Sequence, residues 1–345
     1  MVKVETDSAT GRQILVRTTE DNREGFSFVE VIDRVDSLPS DFELNEQFRK
    51  NVFYMTTHDG VKVGFVNRGI LEEIQRVANE ELLELFEIKE AENILQFKYN
   101  LDFDSRNTRL GELGLKLRDK SKLQGVKGWR NEKYAVWVGK KPYVLVERAL
   151  SGVLGIITYG VHVNGYMFDE HTQEIKFWIP RRSKDKPTWP YLLDNVIAGG
   201  LGYPYGIEET LYKESIEEAN LDKESIQKNI RAGGVVSYFY FPKGNIRDNF
   251  YNESSAIVGE VEYIYDLRFD SNMKPSPNDG EVDSFNLLDL QQTIDALVNN
   301  EFKPNCGLIM LEFLIRYGYI NAENEPNYLK IINRMHRSFP FPTLN

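Results

Sequence analysis

The stretch AGGLGYPYGIEETLYKESIEEANLD, residues 198–222, determines how the rest of this sequence is interpreted. A glycine-rich turn leads into a segment that carries five glutamates between positions 208 and 218. Glu214, Glu217 and Glu218 follow the spacing i, i+3, i+4, which on a helix places them within about 100° of one face. Because neighbouring carboxylates repel one another, the pattern predicts a helix on whose acidic face some positive charge offsets the repulsion.

The other positions of this predicted helix have ordinary structural explanations. Glu208 and Glu209 fall in the first turn, where the positive end of the helix dipole favours acidic side chains. Apolar packing is predicted for the opposite face, which is formed by Leu211, Tyr212, Ile216 and Ala219. Lys213 is the only basic residue within a turn of the three remaining glutamates. Their face is either a solvated surface or the site of a divalent cation such as Mg²⁺, which takes carboxylate oxygens as ligands.

The spacing around these glutamates resembles the signature of the Nudix hydrolases. That signature reads glycine, five residues, glutamate, seven residues, and then Arg-Glu-apolar-any-Glu-Glu-any-Gly-apolar. With Gly199 as the first glycine, Glu214, Glu217 and Glu218 fall on the three positions that bind magnesium or manganese in the family. Four positions depart from the signature without removing a metal ligand, namely Tyr205, Lys213, Ser215 and Asn220. Lysine lacks the planar fork of arginine, so the helix carboxylates are expected to be oriented differently here.

Further segments are similar to one subgroup of Nudix proteins, whose members resemble the region that precedes the kinase part of some fungal thiamine pyrophosphokinases. The match covers most of the chain. The segments that carry it are GWRNEKY (128–134), GVHVNGY (160–166), PRRSKDKPTWPYLLDN (180–195), DGEVDSF (279–285) and FKPN (302–305). The sequence ends at residue 345 without the kinase part, so ATP-driven pyrophosphoryl transfer is not predicted.

The resemblance implies a magnesium-dependent pyrophosphohydrolase. Its substrate would be thiamine diphosphate or an oxidised (oxo or oxy) analogue, cleaved to the monophosphate and phosphate as repair of a damaged metabolite. Two alternatives stay open at this point. One is hydrolysis of a nucleoside diphosphate derivative, such as an oxidised nucleotide or ADP-ribose. The other is a non-catalytic sensor that binds a diphosphate ligand, although retention of all three helix glutamates argues against it.

Candidate residues for the remaining roles come from the same segments. Glu281 is the first candidate for the general base, because it lies in a loop rich in Pro, Asn and Gly, and Glu217 is the rival. The predicted substrate-binding residues are Trp129, Arg130, Asn131, Arg181, Arg182 and Lys303. The aromatic face of Trp129 suits the organic part of a substrate, and the charge-assisted donors of the arginines and the lysine suit its phosphates. The alternatives are a packing corner at 129–131, an exposed hairpin turn at 181–186 and a plain helix start at Lys303.

Length and local pattern predict two domains. The chain has 345 residues, against roughly 150 for a typical domain. We predict an α+β accessory domain over residues 1–145, which helps to form the substrate pocket, and a Nudix domain over 146–345. The second domain is expected to be an α/β/α fold with a mixed sheet between helices. Within the first, residues 1–25 read as a loose arm and residues 52–66 as a hairpin that turns at Asp59-Gly60.

Composition limits the partners. A formal net charge of -11 disfavours binding to a phosphate backbone, and no run of about 18 apolar residues predicts a membrane span. Cys306 is the single cysteine, so an intrachain disulfide is impossible and a reducing compartment, the cytoplasm, is expected. The expected partner is a small-molecule diphosphate, with neither nucleic acid nor membrane involved.

Overall fold

The computed structural model describes residues 2–169, 171–172, 174–186, 188–242 and 256–344. Its strands are β1 (Lys3–Thr6), β2 (Gln13–Val16), β3 (Val52–Thr56), β4 (Lys62–Asn67), β5 (Phe86–Lys89), β6 (Ile94–Phe97), β7 (Lys133–Val138), β8 (Lys141–Glu147), β9 (Ile157–Phe168), β10 (Ile175–Arg182), β11 (Ile197–Gly200), β12 (Ile230–Tyr240), β13 (Val258–Arg268) and β14 (Val282–Asp289). Its α-helices are α1 (Thr19–Glu24), α2 (Val29–Asp33), α3 (Glu46–Asn51), α4 (Arg68–Leu85), α5 (Phe103–Lys120), α6 (Gln124–Lys127), α7 (Ser151–Leu154), α8 (Ile207–Ala219), α9 (Lys223–Gln227), α10 (Leu290–Val298), α11 (Pro304–Arg316) and α12 (Tyr328–Arg334).

A six-stranded mixed sheet forms the centre of the C-terminal part. Its order is β12-β13-β9-β10-β14, with β11 paired to β9. Strands β13 and β9 run parallel, and the other pairs are antiparallel. Because side chains alternate along a strand, Val161 and Val163 of β9 pack with α8, whereas His162 lies on the opposite face, near Cys306 of α11. Helices therefore cover both faces, and the predicted α/β/α fold with a mixed sheet is confirmed.

A smaller α+β unit precedes this sheet. Its four strands are ordered β4-β3-β6-β5 and its long helices α4 and α5 pack together. The hairpin predicted at 52–66 is confirmed, since β3 pairs antiparallel with β4 and Gly60 takes the positive φ of 89° that the turn requires. One apolar core runs from Phe53 through the β7–β8 hairpin to Ile156, and these residues are called the N-terminal unit below. The predicted boundary between residues 145 and 146 stays a prediction.

The prediction of a loose arm at residues 1–25 is wrong. Strands β1 and β2 form a hairpin, and α1 begins with a capping box in which Thr18 and Asp21 bond each other's backbone N–H groups. Val2 and Leu15 are buried in the same core as α10 and α11. The apolar side chains of this segment fall in two short runs, at 2–4 and 14–16, which are too short to establish a hydrophobic period, so the pattern of the sequence could not reveal this packing.

The predicted acidic helix is confirmed as α8, and its ends have local causes. Before the first turn, the Glu209 carboxylate accepts a hydrogen bond of 2.9 Å from the backbone N–H of Gly206. After the last turn, Asn220 takes the left-handed conformation with φ of 53°, as a C-terminal asparagine tolerates. Among all described residues, no helix combines the length and apolarity needed to cross a bilayer.

Candidate active site

Two of the three helix glutamates lie against β11. The Glu214 side chain contacts Gly199 so closely that a Cβ at Gly199 would be 2.2 Å from Glu214 Cγ. Glu218, only 9% exposed, accepts a 2.8 Å hydrogen bond from the backbone N–H of Ala198. Glu217 instead faces solvent, with its side chain 46% exposed. Glycine at 199 is thus what lets α8 approach the strand, and the acidic face divides into an inner pair and an outer carboxylate.

Charge compensation within α8 is incomplete. The Lys213 ammonium lies 3.0 Å from a carboxylate oxygen of Glu214 and 2.9 Å from one of Glu217. Burial raises the pKa of Glu214, and Lys213 counteracts part of that rise. Burial also raises the pKa of Glu218 well above its ordinary value, with Asp194 and Glu214 adding to the effect. A cation beside Glu218 would therefore relieve an unfavourable buried charge.

The donor chemistry of α8 fits a hard divalent cation, although the side chains are not gathered into a complete cage. Among the residues that the structure describes, no group of three or more His, Cys, Asp or Glu has metal-binding geometry. Lys213 already contacts the carboxylates of both Glu214 and Glu217. Magnesium usually takes one or two carboxylates and completes its shell with waters and substrate phosphates. The inner pair, Glu214 and Glu218, matches that requirement.

The N-terminal unit reaches the same place. Tyr134 of β7 lies over Gly200, where an added Cβ would be 2.1 Å from its hydroxyl oxygen. Glu132 lies over Gly202 in the same way and forms a 2.8 Å ion pair with Arg148. Burial would lower the pKa of Arg148, but Tyr134, Glu132 and Glu214 raise it on balance, so the guanidinium stays charged. An arginine of one unit thus lies within electrostatic reach of the glutamates of the other.

A second carboxylate, Glu281, lies among cations. It forms an ion pair with Lys186, and an Arg130 nitrogen lies 3.9 Å from its other oxygen. Burial alone would raise the pKa of Glu281, but Lys186, Arg130 and Arg148 together lower it. We call Arg130, Arg148 and Lys186 the basic rim. Since the Glu281 carboxylate is held ionised and paired, it is a weaker base than an isolated glutamate in this state.

Of the predicted substrate-binding residues, Arg130 lies beside Glu281, while Trp129 and Asn131 have packing contacts. The Trp129 indole N–H donates a 2.9 Å hydrogen bond to the Asn131 side chain, and its ring lies against Gly114, where a Cβ would be 3.1 Å away. Arg118 lies 5.3 Å from the ring centre. These contacts are those of the packing corner, and a role in substrate binding stays a prediction.

Arg182 is engaged with its own loop, and Arg181 is shared between that loop and Glu301, whose carboxylate lies 3.9 Å from its guanidinium. The Arg182 guanidinium forms a 2.6 Å ion pair with Asp194 and donates to the carbonyls of Thr188 and Trp189. Arg181 donates to the carbonyl of Tyr191 at 2.9 Å. Of the segment that suggested them, Pro187 lies outside the described residues. These contacts stabilise the conformation of the loop. Among the described hydrogen bonds and ion pairs, the side chain of neither arginine contacts Glu281 or α8.

Lys303 is placed differently from the two arginines. Its partly exposed side chain lies where Cys306 and Asp194 raise the pKa of its ammonium against the effect of burial.

Sequence reasoning missed Arg148, Tyr134 and Lys186 as site residues. For Tyr134 the sequence offered Gly200, a backbone position that another group approaches closely, and Tyr134 and Lys186 both lie in segments already singled out, 128–134 and 180–195.

Similarity to known proteins covers both parts of the chain. A family model described as a domain of unknown function (DUF4743) matches residues 31–158. The uncharacterized protein YJR142W of Saccharomyces cerevisiae is 58% identical over 344 residues, with 100% of both chains covered. The first match falls largely on the N-terminal unit, and the second extends over the whole chain.

Two plant proteins are also similar. Nudix hydrolase 24, chloroplastic, of Arabidopsis thaliana is 35% identical over 217 residues, which are 61% of this chain and 54% of that protein. Nudix hydrolase 20, chloroplastic, of the same plant is 34% identical over 226 residues, which are 64% of this chain and 54% of that protein. The chain therefore spans about half the length of these two relatives.

Proposed function

This chain belongs to the Nudix family, and from that premise we propose that it is a magnesium-dependent pyrophosphohydrolase. The observation that carries the proposal is the inner pair, Glu214 and Glu218, which lies against Gly199 and Ala198 with the basic rim near it. Diphosphate hydrolysis needs carboxylates that hold a cation. It also needs arginine or lysine side chains beside them that bind the phosphate oxygens.

Each charged group has a role in this proposal. Glu214 and Glu218 would hold the metal, with Glu217 beside them at the rim. When bound, Mg²⁺ neutralises charge on phosphate oxygens and lowers the pKa of a coordinated water. Arg130, Arg148 and Lys186 bind the remaining oxygens of the diphosphate, so the substrate lies between the two units. The water oxygen bonds to phosphorus, the bridging P–O bond breaks, and the products are a monophosphate and phosphate.

Glu281 is the proposed base for that water. In the structure it is paired with Lys186, which holds its pKa below the ordinary value. Once Lys186 contacts a substrate phosphate, the Glu281 carboxylate loses this partner and becomes a stronger base. The proton of the attacking water then moves to Glu281.

The choice of base is tested by comparing Glu281→Gln with Glu217→Gln at saturating Mg²⁺. Loss of a general base lowers kcat by roughly a hundredfold or more, so we expect that loss for Glu281→Gln and a smaller one for Glu217→Gln. The opposite ranking would assign the proton transfer to Glu217.

We propose thiamine diphosphate or its oxo and oxy analogues as the substrate. Support comes from the segments at 128–134, 160–166, 180–195, 279–285 and 302–305, which resemble the Nudix region of thiamine pyrophosphokinases. Cleavage of the oxidised forms would be a repair reaction, placed in the cytoplasm in keeping with the single cysteine. A nucleoside diphosphate derivative, such as ADP-ribose, is the second candidate.

The test is a ranking of kcat/KM with Mg²⁺ over thiamine diphosphate, its oxo and oxy analogues, ADP-ribose and oxidised nucleoside diphosphates. A preference for the thiamine compounds supports the substrate assignment. If a nucleotide ranks first, hydrolysis stands and the substrate assignment falls. No turnover of any compound would favour the ligand sensor.

A further inference from the structure

The segment that leads to Glu281 is attached to the last turn of α8. All of the chain between β13 and β14 is described, and it contains no helix or strand. Within it, the backbone N–H of Ser276 donates a 3.0 Å hydrogen bond to the carbonyl of Ala219. The side-chain amide of Asn278 donates another, also of 3.0 Å, to the carbonyl of Ile216. Because the last carbonyls of a helix lack partners within it, the end of α8 offers acceptors to which this segment can bind.

The backbone of Glu281 is held on both sides. Before it, the Asp279 carboxylate accepts a 2.8 Å hydrogen bond from the Glu281 N–H, and Gly280 takes a φ of 83°, a conformation that favours glycine. After it, the Glu281 carbonyl accepts a 2.8 Å hydrogen bond from the N–H of Ser183, which follows β10. Asn278 is three residues away, at most about 10 Å along an extended chain. A contact at Asn278 therefore limits how far Glu281 can move relative to α8.

The contact of Asn278 joins the proposed base to the helix that carries the proposed metal ligands. Ile216 lies in the same turn of α8 as Glu218, so a shift of the segment would change the distance between Glu281 and that turn. A general base must lie within hydrogen-bond reach of the proton it accepts. Misplacement by about 1 Å can cost roughly a hundredfold in rate. The position of Glu281 thus depends on a contact outside the site itself.

Helix capping alone does not explain Asn278. The carbonyl of Ile216 already accepts a 3.1 Å hydrogen bond from the backbone N–H of Asn220. The Asn278 side chain is exposed, so its amide could equally be hydrated. Loss of the amide would leave the end of α8 satisfied and would release the segment that carries Glu281.

We propose that Asn278 is a positioning residue for the hydrolysis, which fixes Glu281 relative to the metal-binding turn of α8. The Asn278 amide bonds neither the substrate nor the cation and acts only through Glu281. The inference rests on the proposed function, because it requires Glu281 to accept the proton of the attacking water. Loss of the amide leaves the basic rim in place, so it slows proton transfer without weakening substrate binding.

The experiment is a double-mutant cycle with Mg²⁺ and whichever of thiamine diphosphate and ADP-ribose wild type cleaves faster. The parameters kcat and KM are measured for wild type, Asn278→Ala, Glu281→Gln and the double variant. We expect Asn278→Ala to lower kcat roughly tenfold or more while KM stays within about twofold. In the Glu281→Gln background the same change is expected to lower kcat no further, because a residue that acts through the Glu281 carboxylate has no effect once that carboxylate is absent.

Two further variants separate positioning from a general effect on the structure. Asn278→Gln keeps a side-chain amide and is expected to regain part of the lost kcat. The matched control is Asn272→Ala, which alters another exposed asparagine of the same connection and is expected to keep both kcat and KM. Thermal unfolding is recorded for each variant, and if Asn278→Ala does not fold, Asn278→Gln is compared in the two backgrounds instead. An equal loss of kcat in both backgrounds, or no loss in either, overturns the positioning role.

Failure of the proposed function has different results. It is refuted if wild type cleaves neither compound, and the choice of base is refuted if Glu281→Gln keeps the wild-type kcat. In either case amide hydrogen exchange across residues 279–284 tests the placement of Glu281 by itself. Faster exchange in Asn278→Ala than in wild type supports the role of Asn278, and equal exchange overturns it.

Discussion

The two halves of the candidate site differ in how they are built. The inner pair, Glu214 and Glu218, lies on one helix and contacts the adjacent strand at Gly199 and Ala198. The basic rim instead comes from three separate segments, Arg130 before β7, Arg148 after β8 and Lys186 after β10. A local half can be inferred from spacing along one helix, whereas a half assembled from distant segments depends on how the two units pack.

The largest effect is expected from the local half. Glu218→Gln removes the negative charge of the more deeply buried glutamate, so we expect kcat/KM to fall by roughly a thousandfold with Mg²⁺. Because burial raises the pKa of Glu218 well above its ordinary value, loss of its charge is expected to leave thermal stability equal or to raise it.

The matched control for Glu218→Gln is Glu224→Gln on the exposed side of α9, for which unchanged kcat/KM is expected. If Glu218→Gln retains wild-type turnover, the assignment of metal binding to α8 is wrong.

A smaller effect is expected from the distant half. Arg148→Met removes one of three cations near the diphosphate, and loss of one charge-assisted contact should raise KM or lower kcat/KM by roughly tenfold to a hundredfold. Steady-state kinetics at varied substrate concentration measures it.

Arg12→Met, at an exposed position in the β1–β2 hairpin, is the control. Unchanged kinetics in Arg148→Met would contradict the assignment of Arg148 to the site, because this residue of the N-terminal unit would then make no phosphate contact.

The smallest effect is expected at Trp129. Its ring packs against Gly114 and its N–H bonds Asn131, so Trp129→Phe keeps most of the packing and loses one hydrogen bond. We expect stability to fall by about 1 kcal/mol and kcat/KM to stay within about twofold. Chemical denaturation and the standard assay measure the two quantities. A large loss of activity with unchanged stability would instead place the indole at the substrate, as the sequence pattern first suggested.

Several features could be predicted from the sequence because they depend on neighbours within a few residues. The helix α8 follows from its spacing, with Leu211 and Ala219 buried as predicted although Ile216 is exposed, and its C-terminal Asn220 follows from the tolerance of asparagine for positive φ. The hairpin at Asp59-Gly60 follows from turn chemistry. The mixed sheet was also predictable, because its segments are rich in β-branched and aromatic residues and are separated by turn residues.

Other features could not be predicted, because the sequence does not reveal contacts between distant residues. Arg182 and Lys186 are four residues apart, yet one pairs with Asp194 and the other with Glu281. Spacing treats both as exposed cations of one turn, and only the path of the loop separates them. The burial of Val2 and Leu15 likewise depends on α10 and α11, more than 270 residues later in the chain.

The sequence by itself determined the acidic helix, the glycine turn before it and the identity of the three glutamates, because these depend on spacing along the chain. Tertiary structure alone decided that Glu218 is buried while Glu217 is exposed, that Arg148 lies near Glu214, and that Asn278 contacts the carbonyl of Ile216. The physical reason is that desolvation and Coulomb interactions depend on distance in space, which packing sets.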